Sequence, residues 1–75
     1  MRVTVKHLAT LRRDDDKDFI EAQLASGATV RDLLLQLHID QNDVGVLIVD
    51  GVQATFDQIL EENSIVTIIP NIGGG

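Results

Sequence analysis

Cysteine is absent from this 75-residue chain, so there is no disulfide framework, no thiolate zinc site and no thiol nucleophile. Tryptophan and tyrosine are absent too, leaving Phe19 and Phe56 as the whole aromatic complement and no platform on which nucleotide bases could stack. Positive charge is scarce: 6 Lys and Arg stand against 12 Asp and Glu, a net charge of −6. An acidic surface repels phosphate backbones, so nucleic acid is not an expected partner. The same charge would speed encounter with a protein carrying a basic docking surface. His7 and His38 lie far apart without ligand-like spacing; they read as ordinary strand and helix-end residues, and no metal site is expected. The opening segment, Met1 to Ile20, holds no long apolar run, which argues against a signal peptide or a membrane span and makes a cytoplasmic protein the expectation.

What the chain does contain is a legible series of short elements. A protein of this length makes one small domain that buries only roughly 60% of its unfolded surface, too little for a core and an enclosed substrate cavity together. Val3 and Val5 alternate with Arg2, Thr4 and Lys6, the period-two pattern of a half-buried strand. Arg12 to Asp18 is too charged to bury and reads as a solvated hairpin loop. Ile20, Ala22 and Leu24 then alternate with Glu21 and Gln23 as a second strand, which Ser26-Gly27-Ala28 breaks. Thr29 precedes an apolar-periodic run and Asp32 follows three positions later, an approximate capping box. Val30, Leu33, Leu34 and Leu37 fit the i, i+3, i+4, i+7 stripe of an amphipathic helix, with Leu35 on its far side and the polar Asp40–Asp43 stretch after its end. Val44–Val49 is almost wholly apolar and leads into Asp50-Gly51, a two-residue hairpin signal, then a short strand at Val52–Ala54. Ile65–Ile69 is the last strand, stopped by Pro70.

One helix can cover only one face of a sheet of four or five strands, so the expectation is an α+β roll with an open sheet face. Ile65, Val66, Ile68 and Ile69 supply apolar side chains of both parities, as do Val46 and Ile48 against Leu47 and Val49. Whichever parity turns inward, apolar surface remains outside, and such a patch marks a protein interface. Ile65, Ile69, Leu47 and Val49 are the candidates for it, although the sequence leaves the inward parity open.

Past Pro70 the chain ends Asn71-Ile72-Gly73-Gly74-Gly75. Residues 1–70 are expected to form the domain and 71–75 a flexible tail. Glycine has no Cβ, so such a tail can thread a slot too narrow for side chains, and ordering it on a partner would cost on the order of 1 kcal/mol per residue. Such an end is suited to presenting the Gly75 carboxylate to another protein's active site.

The order of elements and the diglycine end resemble the β-grasp, ubiquitin-like fold, and within it the MoaD/ThiS sulfur-carrier family. Leu8-Ala9-Thr10-Leu11-Arg12 is similar to the Phe-Ala-x-Leu-Arg segment of molybdopterin-synthase small subunits. Gly27-Ala28-Thr29-Val30-Arg31-Asp32-Leu33-Leu34 is similar to the Gly-x-Thr-Val-x-x-Leu-Leu start of the family's helix. Most specific is Val66-Thr67-Ile68-Ile69-Pro70-Asn71-Ile72-Gly73-Gly74-Gly75, which follows the family's strand, proline, apolar residue and terminal Gly-Gly without gaps. Asn71 stands where molybdopterin-type tails carry a second proline, and the short His38–Asp43 connection is similar to the thiazole-pathway carriers. The resemblance implies a mixed four- or five-stranded sheet with one helix on one face.

It also implies chemistry done on the protein rather than by it: no catalytic residue and no bound cofactor. A ubiquitin-activating-type adenylyltransferase would use ATP and magnesium to convert Gly75 to an acyl-adenylate. A sulfur donor protein would displace AMP, and the thiocarboxylate would pass its sulfur to a synthase subunit. Gly75 would carry the sulfur, Gly74 and Gly73 would give slot access, and Ile72 and Pro70 would aim the tail. The destination would be molybdopterin or a related cofactor ahead of the thiazole of thiamine. Two other readings stay open: a ubiquitin-like modifier joined to target lysines through the same glycine, and an interaction domain whose tail is unused.

Overall fold

The fold comes from a computed structural model that describes the backbone of residues 1–7 and 19–71 and the side chains of 1–6 and 20–71. The charged Arg12–Asp18 segment, the Leu8–Arg12 motif and Ile72–Gly75 lie outside the described residues. Five strands, β1 (Arg2–His7), β2 (Phe19–Gln23), β3 (Val44–Val49), β4 (Val52–Ala54) and β5 (Ile65–Pro70), form one sheet in the order β2-β1-β5-β3-β4. The central strand β5 runs parallel to β1, and every other neighbouring pair is antiparallel. The helix α1 (Val30–Gln36) lies between the two hairpins in sequence. This is the β-grasp arrangement that the order of elements predicts.

The start of α1 is held from two directions. The Thr29 hydroxyl accepts from the Asp32 amide at 3.3 Å, while the Asp32 carboxylate accepts from the Thr29 amide at 2.9 Å, completing the capping box. The next free donors reach across the fold: Val30 N–H donates to the Gln58 carbonyl at 3.0 Å and Arg31 N–H to that of Phe56 at 2.9 Å. Arg31 also bonds the Gln41 side chain at 3.1 Å and forms an ion pair with Asp57. Because these carbonyls belong to the β4–β5 connection, the cap holds tertiary as well as helical structure. Thr29→Ala is therefore expected to lower stability by about 1 kcal/mol, at the middle of the usual N-cap range, with the loss read from a denaturant midpoint. At the other end His38 takes a left-handed conformation (φ 62°), and the amides of His38 and Ile39 bond the carbonyls of Leu35 and Leu34, a Schellman closure.

The inward stripe of the helix, Val30, Leu33 and Leu34, is buried, with Leu37 packed at its edge. It meets Val3 and Val5 of β1, Ala22 of β2, Leu47 and Val49 of β3, and Val66 and Ile68 of β5 in a single cluster closed by Leu24, Ala28 and Leu60. Leu35 on the opposite side of the helix is exposed, as its phase requires. Asp50 and Gly51 have φ of 51° and 86°, the left-handed pair that joins β3 to β4 in a tight hairpin. Asp50 also binds the start of β5, its amide donating to the Ile65 carbonyl at 2.8 Å and its carboxylate accepting from the Ile65 amide at 2.9 Å.

Two features differ from the sequence expectation. Strand β5 runs through Pro70 rather than stopping before it, and Pro70 pairs with Val44. Proline is tolerated there because the register between β3 and β5 shifts between Val44 and Val46: Gly45 is an extra residue, and the proline stands opposite a bulge rather than a regular ladder. The second difference concerns facing. Leu47 is 3% exposed and Val49 8%, so both point at the helix and belong to the core; they are not part of an outer interface. Their register partners Ile68 and Val66 are buried on the same side.

Candidate functional site

Strand alternation sends the other parity outward. On the face away from the helix, Ile65, Thr67 and Ile69 of β5 lie beside Val46 and Ile48 of β3, with Val46 opposite Ile69 and Ile48 opposite Thr67. Ile65 is 42% exposed, and Thr67, Ile69, Val46 and Ile48 are half-buried. The four aliphatic side chains form a strip along the middle of the sheet. On the β1 side it is bordered by Thr4 and Lys6, which pair with Ile65 and Thr67, and by Arg2, which forms a 3.5 Å ion pair with Glu21 of β2. On the β4 side Gln53, opposite Ile48, closes it. Polar edges around an apolar centre are the anatomy of a docking surface. Asp43 and Asp50 stand just before and just after β3, placing negative charge at both ends of that strand.

The strip leads to the root of the tail. Ile69 is followed by Pro70, half-buried and paired with Val44, and by Asn71, whose amide donates to the Asp43 carbonyl at 2.8 Å. Asn71 is thus the last described residue, and it is tied to β3. Gly75 is the fourth residue after it, at most about 14 Å away along a fully extended chain. The predicted tail residues Ile72, Gly73, Gly74 and Gly75 lie outside the described residues. Of the predicted interface residues, Ile65 and Ile69 share the outer strip, whereas Leu47 and Val49 are replaced there by Val46 and Ile48.

Among the described residues no three His, Asp or Glu side chains gather as metal ligands. No helix of the described residues is long and apolar enough to cross a membrane. What the arrangement offers is an apolar strip between polar borders, with Pro70 of the last strand and Asn71 at one end of it. The model of the ThiS family matches residues 6–75, nearly the whole chain and all of the tail. The chain belongs to the ThiS family. Its fold is that of ubiquitin-like sulfur carriers. It is similar to SAMP1 from Haloferax volcanii, at a TM-score of 0.75 and 17% identity over 100% of both chains, which is a likeness of fold. It is also similar to a protein of Pyrococcus furiosus described as molybdopterin converting factor, subunit 1, at a TM-score of 0.73 and 26% identity over 95% of this chain and 98% of that one. No curated protein sequence matches it.

Within this ThiS-family chain, sequence reasoning missed Gly45, and it weighed Val46 and Ile48 as one parity of β3 without choosing them. Two signals were available. Thr67 is the one polar residue inside Ile65–Ile69, so the outward parity of β5 is the one containing Thr67, and pairing transmits that choice to β3. Gly45 is an isolated glycine in an apolar strand, a common mark of a bulge or a close backbone approach.

Proposed function

We propose that this ThiS-family protein carries sulfur as a thiocarboxylate on Gly75, and that it is a substrate of partner enzymes rather than an enzyme. The observation that carries this reading is the family match through the terminal glycines, on a chain whose last strand stays anchored as far as Asn71. A carboxylate is a poor acyl donor because its leaving group would be oxide. In a ubiquitin-activating-type adenylyltransferase, with ATP and magnesium held by that partner, the Gly75 carboxylate attacks the α-phosphorus and expels pyrophosphate. Sulfur from a donor protein then attacks the acyl carbon and expels AMP. If the donor is a persulfide, a thiol cleaves the resulting acyl disulfide and leaves the thiocarboxylate. The tail then takes its sulfur into a synthase subunit. Destination in molybdopterin or a related cofactor draws support from the whole-length likeness to the Pyrococcus furiosus protein.

The test is intact mass after incubation with the adenylyltransferase, ATP and a sulfur donor. One sulfur replacing one oxygen at Gly75 is the expected result. A ladder of protein conjugates with no such exchange would make the chain a modifier, and neither product would leave an interaction domain.

Gly74 is expected to be sensitive for steric reasons. Gly74→Val adds a branched side chain where the partner's slot must close around backbone, and it narrows the backbone angles. Adenylation should fall by about a hundredfold, the scale of an ångström-level misplacement at a reacting centre, with the melting temperature unchanged. A lowered melting temperature with activation intact would mean that the tail packs into the fold.

A further inference from the structure

We infer that Gly45 is a positioning residue: by having no side chain it lets β3 hold the backbone of Pro70 and Asn71, which fixes where the tail leaves the domain. This rests on the carrier reading above and adds to it the device that aims the tail. The register of β3 against β5 is regular from Val49–Val66 to Val46–Ile69 and then shifts, so that Val44 meets Pro70. The Asn71 amide continues the shifted register by donating to the Asp43 carbonyl at 2.8 Å. At the shift the two backbones are too close for a side chain. A Cβ on Gly45 would lie 2.9 Å from the Pro70 carbonyl oxygen, 3.1 Å from the Asn71 Cα and 3.2 Å from the Pro70 carbonyl carbon. All three are backbone atoms and cannot swing aside as a flexible side chain would. Gly45 does not have the left-handed φ found at Gly27 and Gly51, so it is contact, not conformation, that calls for glycine here.

The bulge also reconciles two packing demands. Val46 and Ile48 face outward, and strict alternation would place Val44 outward with them. The extra residue instead turns Val44 onto the core, where it packs, and sets it opposite Pro70. The last turn of the sheet is thereby held from inside by Val44 and from the edge by Asp43. The consequence is a fixed point of departure at Asn71. With the anchor in place, four residues lie between Asn71 and the end of the chain. Without it, Pro70 and Asn71 come away from β3 and the point of departure is lost, which dilutes Gly75 at the partner's reacting centre.

The experiment compares wild type with Gly45→Ala by amide hydrogen exchange and by steady-state adenylation. In wild type the Asn71 amide should exchange at least about tenfold more slowly than an unstructured amide, as a closed hydrogen bond demands. In Gly45→Ala that protection should be lost while the amides of Leu47 and Val66 keep theirs. The adenylation kcat should fall about tenfold or more, with KM moving less than about twofold, because the outer strip that docks is untouched while the aim is not. An unprotected Asn71 amide in wild type overturns the proposal without any variant, so a Gly45→Ala that fails to fold does not shield it. Asn71 protection retained in Gly45→Ala overturns it too, as does an unchanged kcat after protection is lost. If wild type is protected at Asn71 yet is not adenylated at all, the anchor stands and the carrier reading is what fails.

Discussion

Deleting Gly75, or adding one residue after it, abolishes ATP-dependent activation and leaves the melting temperature where it was. The expectation has two parts with separate physical causes. On the proposed reading activation is lost because the carboxylate oxygen that must attack the α-phosphorus belongs to the last glycine. A shortened tail falls one residue, about 3.5 Å, short of it, and an extended tail fills that position with a peptide bond. Proximity effects in group transfer are large enough that such a displacement removes the reaction rather than slowing it. Stability is unchanged because the last buried side chain of the cluster is Ile68 and the last described hydrogen bond is that of Asn71. Pyrophosphate exchange with the adenylyltransferase, run beside a thermal melt, reads both. A shortened chain that still exchanges pyrophosphate would overturn the carrier and modifier readings together.

How far the sequence reveals such a site depends on how strongly each element contrasts with its surroundings. The helix is legible because Val30, Leu33, Leu34 and Leu37 recur at helical spacing between polar residues and because Thr29 and Asp32 mark its start. The hairpin is legible because Asp50-Gly51 takes left-handed angles that few other pairs tolerate. The terminal motif is legible as composition and order. Facing in β3 and β5 is hard to read for the opposite reason. Both strands lie within the sheet and are apolar on both sides, one side for the helix and one for the strip, so alternation carries little contrast. Thr67 alone breaks the symmetry. The bulge escapes detection because it is a relation between strands: Gly45 acquires its meaning only when Pro70 lies against it. Pro70 looks like a strand terminator for the same reason, since the shift that accommodates it lies on the other strand.

That facing makes neighbouring residues of β5 answer the same substitution in opposite ways. Ile68 is fully buried beneath the helix and opposite Leu47, while Ile69 lies on the outer strip opposite Val46. Ile68→Lys places an ammonium among Leu33, Leu34, Val5 and Val66 with no carboxylate in that cluster to pair it. An unpaired buried charge costs roughly 3–5 kcal/mol. A domain of this size has only about 4–11 kcal/mol of stability to lose, so this variant should be largely unfolded or close to it. Ile69→Lys extends its ammonium into water and should change the denaturation midpoint little. Its cost falls on binding: an aliphatic side chain buried by a partner contributes about 1.5–3 kcal/mol, so the dissociation constant for the adenylyltransferase should rise roughly 10- to 100-fold. Ile65→Lys should behave like Ile69→Lys, because Ile65 is already exposed at the other end of the same strip. Denaturation curves and titration calorimetry on the three variants separate the effects. If Ile69→Lys and Ile65→Lys bind as wild type does, the outer strip is not the docking surface, and the exposed Leu35 side of the helix becomes the face to test.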